Sequence, residues 1–323
     1  MGADVRKAVV LAAGIGKRMR PLTYHRPKPM VYLLNKPLVQ HVVEGLRDAG
    51  IEEILLVVGY MREVVERHFE DGSSLGVKIS YILQEKQLGT GHAARIAEDF
   101  VGKDDFLLTF GDIIVPPATY MEELKLFIEK DADAVVGVNP LPVEKVKQGA
   151  SVIVDEEGRL VDIEEKPENP KSNLNNSGVF VFKNKVFEYI RNLKLSSRGE
   201  YELTDAIKEL AKGGNVYTYR IEGYWSDVGR PSSLMEMTKF LLGTLGRKYV
   251  AEPTSHIGKG AILENVTIAD GATVGSGAVL KDVILLPDSH VGAGAVLENV
   301  IIDEGATVRP LTKVIGREVC VIE

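Results

Sequence analysis

Lys7-Ala-Val-Val-Leu-Ala-Ala-Gly14-Ile-Gly16-Lys17-Arg18-Met19-Arg20-Pro21-Leu22-Thr23, with Pro27-Lys28-Pro29-Met30 close behind, decides how this chain is read. Ala8 to Leu11 is a short apolar run of the kind that makes a buried strand. It opens into a glycine-bearing loop with the cations Lys17, Arg18 and Arg20, and Lys28 follows in a second loop. Glycine lets backbone N–H groups come close to an anion because no Cβ intervenes. Ammonium and guanidinium groups then neutralise its charge, and a guanidinium grips two oxygens at once. Strand, glycine loop and cations together read as a cradle for a triphosphate. Glycine spacing alone is equally compatible with an ordinary strand-to-helix turn carrying solvated charges.

Two other glycine loops are excluded. A dinucleotide fingerprint needs a third glycine where Met19 stands, and a P-loop needs Ser or Thr after its lysine, where this chain has Arg18.

Working outward, Lys36 to Gly50 predicts a helix with Leu38, Val42 and Leu46 on one face and Gly50 as its stop. Strands are expected at Ile54–Val58 and Val77–Leu83, with a helix over 59–70 between them. Asp112 ends another apolar run, Phe106–Gly111, so it falls at the carboxyl end of a buried strand. A hard carboxylate oxygen there suits Mg²⁺, and equally a helix cap. A helix over 117–130, a strand at Ala134–Val138, a hairpin turning at Glu157-Gly158 and a strand at Val179–Phe182 follow. The stretch from Ser197 is expected to start a helix with Thr204 or Asp205 near its cap. Strands alternating with helices, plus one hairpin, predict a doubly wound mixed α/β sheet. Ligands sit at the carboxyl ends of parallel strands in such sheets. Gln84, just past the third strand, carries the donor and acceptor needed to pair with a pyrimidine edge. His92 reads as a structural residue at a helix start.

From Ile257 the chain repeats with a period of 17: Ile257-Gly-Lys-Gly-Ala-Ile-Leu-Glu-Asn-Val, then Val274-Gly-Ser-Gly-Ala-Val-Leu-Lys-Asp-Val, then Val291-Gly-Ala-Gly-Ala-Val-Leu-Glu-Asn-Val. Aliphatic residues step by 6, 5 and 6 through Ile257, Leu263, Ile268, Val274, Leu280, Leu285, Val291, Leu297 and Ile302. That rhythm is the sign of a parallel β-helix with three sides per coil. His256 and His290 align with Thr273 and Thr307 and read as coil-corner residues. The expected divisions are residues 1–230, a linking helix over 231–250, and the coils over 251–323.

The full N-terminal string resembles the signature of the sugar-1-phosphate nucleotidylyltransferases (nucleotide-sugar pyrophosphorylases), and the tail resembles the left-handed β-helix of hexapeptide-repeat proteins. The resemblance implies an enzyme joining a nucleoside triphosphate to a sugar 1-phosphate. It implies Arg18 and Lys28 as catalytic cations, and Leu11, Ala13, Gly14 and Gly16 about the nucleotide. Leu-Gln84-x-x-Gln-Leu-Gly89-Thr90-Gly-His-Ala is similar to the base-reading loop of N-acetylglucosamine-1-phosphate uridylyltransferases, which implies Gln84, Gly89 and Thr90 as base contacts. Asp112 and Asp227 match the Mg²⁺-binding acids. Glu165 and Lys166 would hold the sugar and its phosphate, with Gly149 and Asn176 lining the pocket. UTP or dTTP with glucose- or N-acetylglucosamine-1-phosphate is the favoured pair. Pro-Leu-Thr and Tyr-Trp-Ser-Asp-Val-Gly look more like thymidylyl- and guanylyltransferases, so GTP with mannose-1-phosphate stays open. A non-catalytic nucleotide-sugar sensor and a tail with acyltransferase activity are the rivals, and β-helix tails commonly build homo-oligomers.

Net charge of −7 argues against general nucleic-acid binding, and leaves the N-terminal cations a local feature. A single cysteine, Cys320, excludes an internal disulfide and a cysteine-rich zinc site. No apolar run reaches the ~18 residues of a membrane helix. Met1-Gly-Ala-Asp-Val-Arg-Lys leads straight into the first strand without a signal peptide, so a cytoplasmic protein is expected.

Overall fold

A computed structural model describes residues 5–323; the N-terminal Met1–Asp4 of the leader reading lie outside the described residues. The described chain divides into two compact units. One holds the N-terminus to Gly14 and Val39–Trp225, the other Ile15–Leu38 and Ser226–Glu323.

The first unit is built on a nine-stranded mixed sheet. Its strands are β1 (Lys7–Leu11), β2 (Glu53–Val58), β3 (Lys78–Leu83), β4 (Phe106–Phe110), β5 (Ala134–Pro140), β6 (Ala150–Val154), β7 (Leu160–Glu165), β8 (Leu174–Phe182) and β9 (Val216–Arg220). The order β7-β6-β8-β4-β1-β2-β3 forms the main path, with β5 branching from β8 and β9 pairing with β5. β1 runs parallel to β2 and β4, and β2 parallel to β3. β8 is antiparallel to β4 and β5, and β6–β7 is the expected hairpin. Ala8, Val9, Val10, Leu107 and Leu108 are all fully buried, so successive residues on both faces are covered. This is why these strands read as continuous apolar runs rather than alternating ones. Four parallel strands, β1 to β4, therefore end on one edge.

Helix α1 (Leu38–Asp48) buries Leu38, Val42 and Leu46 as expected, and the chain turns away at Gly50, φ 93°. α2 (Arg62–Phe69), α3 (Thr90–Arg95), α4 (Ala118–Glu129), α5 (Val186–Ile190) and α6 (Leu203–Ala211) complete this unit's principal helices. Thr204 and Asp205 lie in the first turn of α6 as expected; the helix starts at Leu203 with Glu202 before it and no side-chain cap. The Leu203 N–H donates instead to the Thr90 hydroxyl, 3.1 Å away, so a distant residue replaces a local cap. β8 starts earlier than expected, and its pairing with β5 breaks between Asn176 and Phe180.

In the second unit, α7 (Pro231–Thr244) leads into parallel strands. β10 (Tyr249–Ala251), β12 (Ile262–Ile268), β14 (Val279–Leu285), β16 (Val296–Ile302) and β18 (Lys313–Ile322) form one sheet. β11 (His256–Ile257), β13 (Thr273–Val274), β15 (His290–Val291) and β17 (Thr307–Val308) form another. Leu263 pairs with Leu280 and Leu280 with Leu297, one period apart. The corners are left-handed residues in three columns: Gly260, Gly277, Gly294; Asn265, Asp282, Asn299; Gly271, Asp288, Gly305. Glycine, asparagine and aspartate tolerate positive φ, which is why each coil can turn three times. The inward column is the expected one, with Val266, Val283, Val300 and a set of alanines added to its core. The fold is a left-handed parallel β-helix. His256 and His290 lie on the two-residue strands rather than at corners, and His290 Nδ1 is 2.8 Å from Thr273 Oγ1.

Leu280, fully buried in the middle coil, should lose about 2–5 kcal/mol on replacement by alanine, against less than ~0.5 for the exposed Ile262→Ala. Urea denaturation of the two variants beside the parent measures the difference.

Candidate active site

At the shared strand edge of the first unit, Leu11 ends β1 and its carbonyl accepts from Gly111 N–H at 3.0 Å. Asp112 thus follows directly on the neighbour of β1 and is partly exposed. Gln84 follows β3, and its N–H donates to Val58 O at 2.8 Å. The Gln84 side chain is buried, and its amide nitrogen faces Gly89 O at 3.3 Å and His92 Nδ1 at 3.1 Å. A carbonyl accepts only, so the nitrogen must point there and both of its hydrogens are engaged. Burial and, secondarily, Arg95 lower the His92 pKa, which favours the neutral ring that offers Nδ1 as acceptor. Gln84 is left presenting a carbonyl oxygen, an acceptor for a ring N–H such as N3–H of uracil or thymine. His92 orients this side chain, in keeping with the structural role expected of it.

Gly89 is at φ 103°, and a Cβ there would lie 2.5 Å from Tyr201 O. No other residue fits. Thr90 spends its hydroxyl oxygen on the Leu203 amide. Gln87, which carried no role in the sequence reading, donates to Ala13 O at 2.7 Å and so ties the base loop to the glycine loop. Its place in the string Gln-Leu-Gly-Thr-Gly was the only available signal.

Glu165, Lys166 and Gly149 come together at the open end of the β6–β7 hairpin, where Glu165 pairs with Ala150 and Lys166 N–H donates to Gly149 O at 2.6 Å. Lys166 Nζ lies 4.0 Å from Glu165 Oε1. Burial pushes the Glu165 carboxyl up to about 7; the charge of Lys166 pulls it back and that of Glu202 adds to the rise. Arg198 spans Glu165 and the buried Glu202, at 4.0 and 2.6 Å. Arg198, to which no spacing in the sequence pointed, is a further member of the cluster. A Cβ on Gly149 would lie 2.2 Å from Asn175 Oδ1. Asn176 is next along, and its Oδ1 accepts from Gly178 N–H at 3.1 Å. Trp225 donates its indole N–H to Ser177 O at 2.8 Å.

The second unit holds Gly16, Arg18, Lys28 and Asp227. Gly16 is at φ 71°, its carbonyl accepts from the Thr23 hydroxyl, and its missing Cβ would lie 2.6 Å from Lys28 Cβ. The glycine therefore exists so that the lysine stem can lie across the loop. Arg18 Nη2 and Asp227 Oδ2 both border Gly229, at 3.5 and 3.7 Å from where its Cβ would stand. Among the described residues no group of three His, Cys, Asp or Glu could hold an ion. Mg²⁺ is an ion that fills much of its shell with phosphate oxygens and water, so it does not need such a group. No helix among the described residues is long and apolar enough to cross a membrane.

Residues 7–244 match the nucleotidyl transferase family model, and residues 243–319 match the GlmU-like C-terminal hexapeptide model. The chain is 40% identical over 274 residues to the bifunctional protein GlmU of Methanocaldococcus jannaschii, covering 84% of itself and 61% of that protein. It spans about three fifths of the length of that relative. It is also 33% identical over 285 residues to a glucose-1-phosphate thymidylyltransferase of Streptomyces antibioticus, covering 85% and 80% of the two chains. A solved UDP-glucose pyrophosphorylase bound to UDP-glucose superposes with a TM-score of 0.68 over 75% of this chain and all of that one, at 24% identity, and shares the fold. The chain belongs to the nucleotidyl transferase family.

Proposed function

We propose that this protein transfers a nucleotidyl group from UTP or dTTP to glucose-1-phosphate or N-acetylglucosamine-1-phosphate, releasing pyrophosphate. The observation that carries the reading is the packing of Lys28 on Gly16 beside a loop that also presents Arg18. A phosphate oxygen of the sugar 1-phosphate attacks the α-phosphorus in line. The bond to the β-phosphate oxygen breaks and pyrophosphate leaves with the electron pair. No covalent intermediate is needed, so the protein's work is positioning and charge neutralisation.

Arg18 and Lys28 stabilise the negative charge that shifts toward the leaving oxygens. The amides of Gly14 and Gly16, with Leu11 and Ala13, border the nucleotide. Gln84 accepts from the base N–H, Gly89 leaves room for the flat ring, and Thr90 holds that turn against α6. Glu165 accepts from sugar hydroxyls and Lys166 holds the sugar phosphate, with Gly149 and Asn176 beside them. Asp112 and Asp227 would hold Mg²⁺, which supplies further neutralisation of the phosphates when bound. The triphosphate and sugar phosphate are cytoplasmic metabolites, and the β-helix, with exposed Ile262, Leu311 and Ile315, supports self-association of the chain.

Pyrophosphate release over a panel of triphosphates and sugar phosphates with Mg²⁺ tests the reading directly; activity with a purine triphosphate alone would overturn the base assignment. Lys28→Ala and Arg18→Ala should each lower kcat by about 10²–10³-fold. Full turnover in either variant removes that residue from the chemistry.

Glu165 adds a pH signature. Its folded pKa is raised to about 7, above the ordinary 4.5, so the folded protein holds this proton more tightly than the unfolded chain. The group's contribution to stability is present below the unfolded pKa and lost as pH rises through about 7. The carboxylate accepts sugar hydroxyls more strongly than the neutral acid, so KM for the sugar phosphate should fall as pH rises through about 7. Steady-state kinetics of Glu165→Gln should give a flat profile, and Lys166→Ala should move the inflection upward.

A further inference from the structure

Arg26 is a buried arginine in a surface-facing part of the chain, between exposed His25 and buried Pro27. Its two terminal nitrogens go to different acids of the β-helix: Nη1 to Asp303 at 2.9 Å and Nη2 to Glu304 at 2.8 Å. Side-chain exposure is 6% for Arg26 and 9% for Asp303. The Asp303 carboxylate also accepts from the Glu304 N–H at 2.8 Å, so the acceptor is itself fixed. These acids sit at the corner that Gly305 turns, in the last complete coil.

A buried ion pair is a costly way to dock a loop, since apolar side chains of equal volume do so at least as well. What the pair adds is register: a planar fork reaching two carboxylates accepts one placement of the backbone that carries it. That backbone leads in two residues to Lys28, a path of about 7 Å at most. Pro27 between them fixes its own φ, at −71°. Lys28 then opens a single 3₁₀ turn, with Met30 N–H donating to Pro27 O and Val31 N–H to Lys28 O. Farther on, Asn35 Nδ2 donates to Ile268 O at 3.0 Å, a second tie to the coils two turns below.

We propose that Arg26 is a positioning residue through which the last coil of the β-helix sets where Lys28 stands on Gly16. The tail is then part of the catalytic apparatus, whatever role it has in assembly. The proposal rests on the reading that Lys28 acts on the triphosphate, and its test separates the two.

Asp303→Asn and Glu304→Gln remove the charges with little change of shape, and neither residue belongs to the proposed chemistry. Hydrogen exchange on the full chain should show the Met30 and Val31 amides opening at least about tenfold faster in the Asp303→Asn, Glu304→Gln double variant. The coil amides of Leu280 and Leu297 should be unchanged. Where the parent releases pyrophosphate, kcat should fall about tenfold with KM for the triphosphate unchanged. Adding Arg26→Met to the double variant, which removes the cation left without partners, should lower kcat no further, because the three residues act as one unit. Unaltered exchange at Met30 and Val31 overturns the proposal, and so does unaltered kcat in variants whose loop has loosened. If the parent shows no turnover with any substrate pair, the functional reading fails while exchange alone still decides the positioning claim.

Discussion

Lys17, Arg18, Arg20 and Lys28 lie within a dozen residues of one another, and like charges repel wherever they are brought together without an anion. A loop that must keep them together between turnovers has to be pinned by something other than its ligand. The pins are visible. Thr23 holds the Gly16 carbonyl, the Lys28 stem fills the space a Cβ would take, and Arg20 lies 5.2 Å over the Tyr24 ring. Arg26 and Asn35 fasten the same stretch to the coils. Preorganisation of this kind matters for phosphoryl chemistry, where the protein contributes fixed charge rather than covalent steps.

The two halves of the candidate site solve different problems. In the first unit, hydrogen bonds from Gln87 to Ala13 and from Gln84 to His92 and Gly89 fix both side chains and leave the Gln84 carbonyl oxygen as the acceptor for the proposed base. Around Glu165 the protein instead keeps a carboxyl partly deprived of water, with Arg198 and Lys166 near enough to bias it without pairing closely. In the proposed function, sugar hydroxyls would donate to this carboxyl, and their arrival would favour its ionised form.

Much of this was legible from spacing. The six-residue aliphatic steps of the tail gave the inward column from Ile257 to Ile302, and the left-handed corners follow from Gly, Asn or Asp recurring at each turn. The sheet's strands were legible because both its faces are buried. The misses share one cause: they depend on partners far away in sequence. Arg26 reads as one more loop cation until Asp303 and Glu304, 277 and 278 residues later, are brought to it. The start of α6 could be placed near Thr204 from its own residues, but not that Thr90 supplies the hydroxyl for the Leu203 amide. Gln87 and Arg198 stood inside strings already noticed, but nothing in one sequence says which polar residue of a string turns inward.

The central claim is that the loop from Gly14 to Lys28 is a preformed triphosphate cradle held in place by the coils. A crystal structure of the full chain with Mg²⁺ and a non-hydrolysable UTP analogue tests it most directly. Triphosphate oxygens are expected against the Gly16–Arg18 amides and the head groups of Arg18 and Lys28, with the Arg26 fork still closed on Asp303 and Glu304. A triphosphate bound elsewhere, with Arg18 and Lys28 turned to solvent, would contradict it.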